Sequence, residues 1–197
     1  MIASNKKNFR KNMLYKDRER VLNWFEKNHP DKFDLYGPGW EVRKFYFYPF
    51  KLLNKLPFIT QLLARKYKTY RGVVKGKSET MQNYKFAICF ENMEGKEGYI
   101  TEKILDCINA GCIPVYRGAP DITDYIPANC FINFSAFENI NALYSYMDNL
   151  PDTLSQQYLE ALLNFSRSDS AACLSMQHYA TILTNILFQD NSELEPA

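Results

Sequence analysis

Phe86-Ala-Ile-Cys-Phe-Glu-Asn-Met-Glu-Gly-Lys-Glu-Gly-Tyr-Ile-Thr-Glu-Lys-Ile104 decides the fold. Phe86–Phe90 is a short, continuous apolar run, the pattern of a strand buried on both faces. Glu91 and Asn92 end it, and a polar loop with Gly95 and Gly98 follows. A helix then opens at Thr101 and runs to Ala110, with Ile104, Cys107, Ile108 and Gly111 spaced as an inward stripe. In an open α/β sheet, ligands sit outside the carboxyl ends of the strands, beside helix N-termini. Glu91, Asn92, Tyr99, Glu102 and Lys103 gather at that junction and are candidate contacts. Four of them also have a plainer reading. Glu102 suits the helix dipole as a surface acid, Lys103 is open to solvation, Asn92 suits a turn, and Tyr99 suits core packing.

The rest of the chain repeats the alternation. Ile2-Ala3 reads as the stump of a strand, and residues 14–28 as a helix with Leu14, Val21, Leu22 and Phe25 on one face. Residues 33–36 form the next expected strand, closed by the Gly37-Pro38-Gly39 turn. A short strand is expected over 71–74, a short helix over 78–84, and strands over 112–116 and 131–134. Helical periodicity follows over 140–147, 154–165 and 175–188, the last with Tyr179, Ile182, Leu183, Ile186 and Leu187 on one face. The expected class is α/β with a Rossmann-like parallel sheet. Residues 1–190 are expected to form one domain, interrupted by an irregular or partly helical insertion at 41–70, and residues 191–197 a frayed tail.

With 197 residues, 46% of them hydrophobic, the chain can bury a sizeable core. No apolar run reaches the roughly 18 residues of a membrane span, and residues 1–4 lack the zones of a signal peptide. Cys89, Cys107, Cys112, Cys130 and Cys173 are odd in number and lack CxxC spacing, which favours buried reduced thiols. His29 and His178 lie far from any cysteine pair, so no zinc site is expected. The tripeptides Asn133-Phe-Ser135 and Asn164-Phe-Ser166 match a glycosylation sequon without establishing secretion. A cytoplasmic enzyme of bacterial type is expected, with the Golgi lumen as the eukaryotic alternative.

The net charge of +2 hides an asymmetry: residues 41–77 hold ten Lys/Arg against Glu41 alone. A solvated basic face is the plain reading of such a run. Aromatic and leucine residues interleave with it, which also suits peripheral contact of residues 41–70 with an anionic membrane. Nucleic acid is not an expected partner, because no helix-turn-helix, zinc-finger or RNP-type sequence occurs.

The junction resembles the sugar-nucleotide signature of the α-1,3/4-fucosyltransferases of glycosyltransferase family 10, over Tyr84-Lys85-Phe86 … Cys89-Phe90-Glu91-Asn92 … Gly98-Tyr99 … Thr101-Glu102-Lys103. The similarity continues through Ala110-Gly111-Cys112-Ile113-Pro114-Val115-Tyr116, Gly118-Ala119-Pro120, Asp124-Tyr125-Ile126-Pro127 and Cys130-Phe131-Ile132-Asn133-Phe134. Ser4-Asn5-Lys6, Arg18 and Asp34-Leu35-Tyr36-Gly37 match more loosely.

The resemblance implies the donor-binding, C-terminal half of a GT-B-type glycosyltransferase, which transfers fucose from GDP-fucose to a glycan acceptor hydroxyl with inversion. Departure of GDP builds negative charge on the pyrophosphate. No Asp-x-Asp metal motif occurs, so basic side chains at a helix N-terminus take that task and no cofactor is expected. Lys103 and Arg18 match the family positions for phosphate. Glu102 is assigned the ribose hydroxyls, Asn92 and Tyr99 hydrogen bonds to phosphate or sugar, and Glu91 either the sugar or the orientation of the loop. Gly118 is expected to let backbone approach the ligand. No catalytic residue is identified, because the general base is expected in an N-terminal domain that this chain lacks. A non-catalytic, truncated GDP-sugar-binding module is the alternative.

Overall fold

Helix α1, Tyr15–Asn28, forms because its apolar residues repeat at helical spacing, and Val21, Leu22 and Phe25 are buried with Leu14 just ahead of it. Each such side chain contributes about 1.5–3 kcal/mol when fully buried. The same stripe carries Arg18, which is buried with them. Phe25 stacks on Phe33 at 4.5 Å and meets Tyr144 edge-on, tying α1 to a later helix. The computed structural model describes residues 1–174, together with 177, 180, 181 and 184. Most of the helix expected over 175–188, with its apolar stripe, and the tail lie outside the described residues.

Three parallel strands, β1 (Phe86–Phe90), β2 (Ile113–Arg117) and β3 (Ile132–Asn133), lie in the order β1-β2-β3. The register pairs Phe86 with Ile113 and Val115 with Ile132. Pro114 is tolerated in the central strand for a geometric reason. Ile113 N–H donates to β1 at the Lys85 carbonyl, so Pro114 faces the other side, and β3 begins only opposite Val115.

The remaining strand signals are reduced to isolated parallel bridges, Ile2 to Tyr36 and Leu35 to Tyr70. The strand expected over 71–74 does not form. Gly72 takes φ +91°, which breaks extended geometry directly after the Tyr70 bridge. Gly37, at φ +130°, allows the turn: a Cβ there would overlap the Ala3 carbonyl oxygen.

Two short helices, α2 (Pro57–Leu62) and α3 (Lys77–Met81), precede the sheet. Helix α4 (Glu102–Asn109) connects β1 to β2 and buries Ile104, Cys107 and Ile108, the expected stripe. After β3 come α5 (Ile140–Asp148), α6 (Asp152–Ser166) and the unexpected short α7 (Asp169–Cys173). Helix α4 packs on β1 and β2, and α6 on α4 and β2. The insertion at 41–70 contains a 3-10 turn, Phe50–Lys55, and α2. It is held by Asn54, whose side chain bonds both the N–H and the C=O of Phe45. Four of the five cysteines are buried thiols and Cys173 is exposed.

Candidate functional site

The carboxyl end of β1 is where the core meets solvent, and the candidate residues converge there. Arg18 reaches it from α1. One of its nitrogens, Nη2, donates to the Phe90 carbonyl at 2.7 Å, the Glu91 carbonyl at 2.7 Å and Asn92 Oδ1 at 3.0 Å. These bonds satisfy carbonyls at the point where β1 stops pairing. Burial pulls the Arg18 pKa down, with Tyr15 and Glu91 acting in the opposite direction. A guanidinium nevertheless remains charged at neutral pH. Nη1 and Nε have no hydrogen-bond partner among the described residues. Asn92 in turn donates from Nδ2 to the Tyr99 hydroxyl at 3.4 Å.

Glu91 turns inward. Its side chain is fully buried, with Oε1 accepting from Thr101 N–H at 2.8 Å and Oε2 from Thr101 Oγ1 at 2.7 Å and Lys103 Nζ at 3.0 Å. Through these bonds the carboxylate ties the loop before α4 to the end of β1. A carboxylate from the strand caps α4, because Thr101, at the N-cap position, uses its own hydroxyl on Glu91. Lys103 Nζ also donates to Thr101 Oγ1 at 2.8 Å. An ammonium has three donors, so one remains after these two bonds.

Gly118 abuts the buried carboxylate. A Cβ at that position would lie 2.5 Å from Glu91 Cγ and 2.5 Å from the Tyr116 hydroxyl. Its missing side chain makes room for the buried carboxylate.

A cavity of about 410 Å³, within the range of small-molecule sites, opens beside this network. Arg18, Asn92, Glu102 and Lys103 line it, and Glu91 and Tyr99 are not part of its lining. Lys77 also lines it and pairs with Asp106 at 2.9 Å. Three features were not assigned roles from sequence. Thr101 bridges Glu91 and Lys103, and its signal was a hydroxyl residue at the start of a helix. Tyr36 and Tyr84 form part of the wall; their hydroxyls are 2.9 Å apart, and Tyr84 donates to Asp34 Oδ2 at 2.6 Å. Burial and the bond to Asp34 push the Tyr84 hydroxyl far above its usual pKa, so it stays a neutral donor. Arg117 grips Glu94 and Gly98 N–H donates to Asp121, fixing the loop before α4. Among the described residues no group of three or more His, Cys, Asp or Glu side chains is arranged to hold a metal ion.

Residues 51–169 match the family described as glycosyltransferase family 10 (fucosyltransferase) C-term. An alpha-(1,3)-fucosyltransferase of Helicobacter pylori is 38% identical over 89 residues, covering 45% of this chain and 18% of that protein. A GDP-fucose protein O-fucosyltransferase 3 of Xenopus laevis is 41% identical over 80 residues, covering 39% of this chain and 17% of that protein. A crystal structure of an alpha1,3-fucosyltransferase with GDP-fucose superposes with a TM-score of 0.51 at 24% identity, over 80% of this chain and 36% of that one. At that identity the likeness is one of fold: α/β with a parallel sheet, of the kind found in GT-B glycosyltransferases. The chain spans less than a fifth of these two relatives and about a third of the solved structure.

Proposed function

Since the chain belongs to glycosyltransferase family 10, the fucosyltransferases, we propose that residues 1–190 bind GDP-fucose and hold it for inverting transfer of fucose to a glycan acceptor hydroxyl. Lys103 and Arg18 take the diphosphate, Glu102 the ribose hydroxyls, and Asn92 and Tyr99 the phosphate or the sugar. Glu91 and Thr101 position Lys103. One observation carries this reading: Lys103 Nζ is fixed at the N-terminus of α4 by Glu91 and Thr101 and keeps one donor beside the cavity.

The chemistry follows from that placement. Breaking the glycosidic bond shifts charge onto the departing diphosphate, and a cation already held in position stabilises that charge with little reorganisation. Arg18 offers the planar, fork-like donor set suited to phosphate, and Lys103 a point charge. No metal is required for binding in this reading. Peripheral membrane contact through residues 41–70 belongs to the same reading.

Titration calorimetry of the chain with GDP and with guanosine, in EDTA, tests it. Lys103→Ala is expected to weaken GDP by about 1.5–3 kcal/mol, the range of a charge-assisted hydrogen bond, and to leave guanosine almost unchanged. Equal losses for both ligands would remove Lys103 from the phosphate. Failure of the wild-type chain to bind GDP in EDTA would overturn the metal-free reading.

A further inference from the structure

The insertion presents a surface that donor binding does not use. Phe47, Tyr48, Phe50, Phe58 and Leu62 are each at least 60% exposed. Phe58 and Leu62 are four residues apart on α2, so one face of that helix is apolar and open. Exposed apolar residues are normally scattered singly, and a contiguous patch marks an interaction site. Here the patch reaches beyond the insertion. Phe9, 57% exposed, sets its ring 5.8 Å from Tyr46 and 5.9 Å from Phe47. That contact adds a second basic segment, with Lys6, Arg10 and Lys11 around Phe9.

Charge selects the partner. Lys44, Lys51 and Lys55 are exposed and enter no ion pair among the described residues. The one acid in residues 41–70, Glu41, accepts from the Tyr70 hydroxyl at 3.0 Å. Protein–protein interface cores are depleted in lysine, and nucleic acid has no use for the aliphatic face of α2. The headgroup region of a bilayer accommodates both features. Aromatic and aliphatic side chains enter the acyl boundary while lysine stems keep their charges among the headgroups.

We propose that the Phe9 loop and residues 43–63 form one surface that docks on an anionic lipid bilayer. The proposal extends the membrane contact included in the functional reading, and it stands or falls independently of GDP binding. Lys6 lines the cavity and Phe9 is three residues further on, so docking sets the mouth of the cavity beside the bilayer.

Co-sedimentation of the 197-residue chain with vesicles of phosphatidylcholine, alone or with about a third phosphatidylserine, tests it. Binding is expected to the anionic vesicles only and to fall as salt rises. A Lys44→Gln, Lys51→Gln, Lys55→Gln triple variant is expected to lower the partition coefficient roughly a hundred-fold, about five-fold per lysine. Phe47→Ser with Tyr48→Ser is expected to lower it at every salt concentration. Both variants should bind GDP as the wild type does, which separates a lost surface from a lost fold. Equal binding to neutral vesicles, an unchanged partition in the triple variant, sedimentation without vesicles, or tighter binding to single-stranded RNA would each overturn the proposal. Vesicle binding by a chain that fails to bind GDP would support this surface and remove the donor reading alone.

Discussion

Arg18 shows how one side chain serves both the core and the candidate site. Its position on α1 was legible: it stands four residues after Leu14 and four before Leu22, inside the apolar stripe. Its partners were not, because Phe90, Glu91 and Asn92 lie 72 to 74 residues away and no local spacing relates them to α1. Glu91 was similarly half-legible. Its place at the end of a strand could be read, but burial of its carboxylate on Thr101 and Lys103 depends on how α4 returns over β1. A consequence concerns stability. Arg18→Ala leaves the Phe90 and Glu91 carbonyls without their donor in a buried setting, which costs about 1–3 kcal/mol per unsatisfied group. Urea unfolding is expected to show that loss in addition to any loss of GDP affinity. Unchanged stability with weakened GDP binding would mean that the arginine works for the ligand alone.

Among the elements, β1, α4 and β2 were legible because each carries its own period and its own stop signal. The strand expected over 71–74 was not, since a strand exists only by pairing and Gly72 turns the chain away after one bridge. The 3-10 turn and α2 in the insertion escaped sharper reading because exposed helices bury no stripe that could mark a period. The connection after β2 carries a prediction of its own. Gly118→Ala puts a methyl carbon against Glu91 Cγ and the Tyr116 hydroxyl. Either the backbone after β2 shifts, or Glu91 rotates and releases Lys103 and the cap of α4. Overpacking of this kind typically costs about 1–3 kcal/mol. Gly118→Ala is therefore expected to lower both the unfolding midpoint and GDP affinity, although residue 118 touches no ligand in this account. Wild-type values for both would show that the Glu91 pocket has slack.

For the molecule as a whole, buried thiols are expected to make stability depend on alkaline pH, and the proposed function places separate demands on donor binding and on turnover. Burial pushes the Cys130 thiol from 9.0 to about 11, and burial with a contribution from Cys107 pushes Cys112 to about 12. Below pH 9 both thiols are protonated in folded and unfolded chains, and their contribution is intact. Above pH 9 the unfolded chain releases protons that the folded chain retains, so stability falls as pH rises toward 11 or 12. Cys130→Ala should flatten the decline of melting temperature between pH 8 and pH 10.5, whatever it does to the melting temperature itself; parallel declines would exclude the thiol as a cause. Catalysis makes a different demand, on geometry across the cavity. An acceptor hydroxyl needs a base within hydrogen-bond reach and a surface that fixes it against the anomeric carbon. Two carboxylates line the cavity, Glu102 and Asp106. Asp106 is held by Lys77 at 2.9 Å, and Glu102 is assigned to the ribose. In the proposed reading neither is left to act as that base, and Glu91 is buried beneath Lys103. A polypeptide of these 197 residues is therefore expected to bind GDP-fucose yet transfer fucose very slowly. Addition of a family-type N-terminal domain, fused or in trans, should raise transfer without changing donor affinity. Transfer by the 197 residues alone at the rate of the two-domain protein would mean that one of these carboxylates is the base, and Glu102→Gln and Asp106→Asn would then identify which.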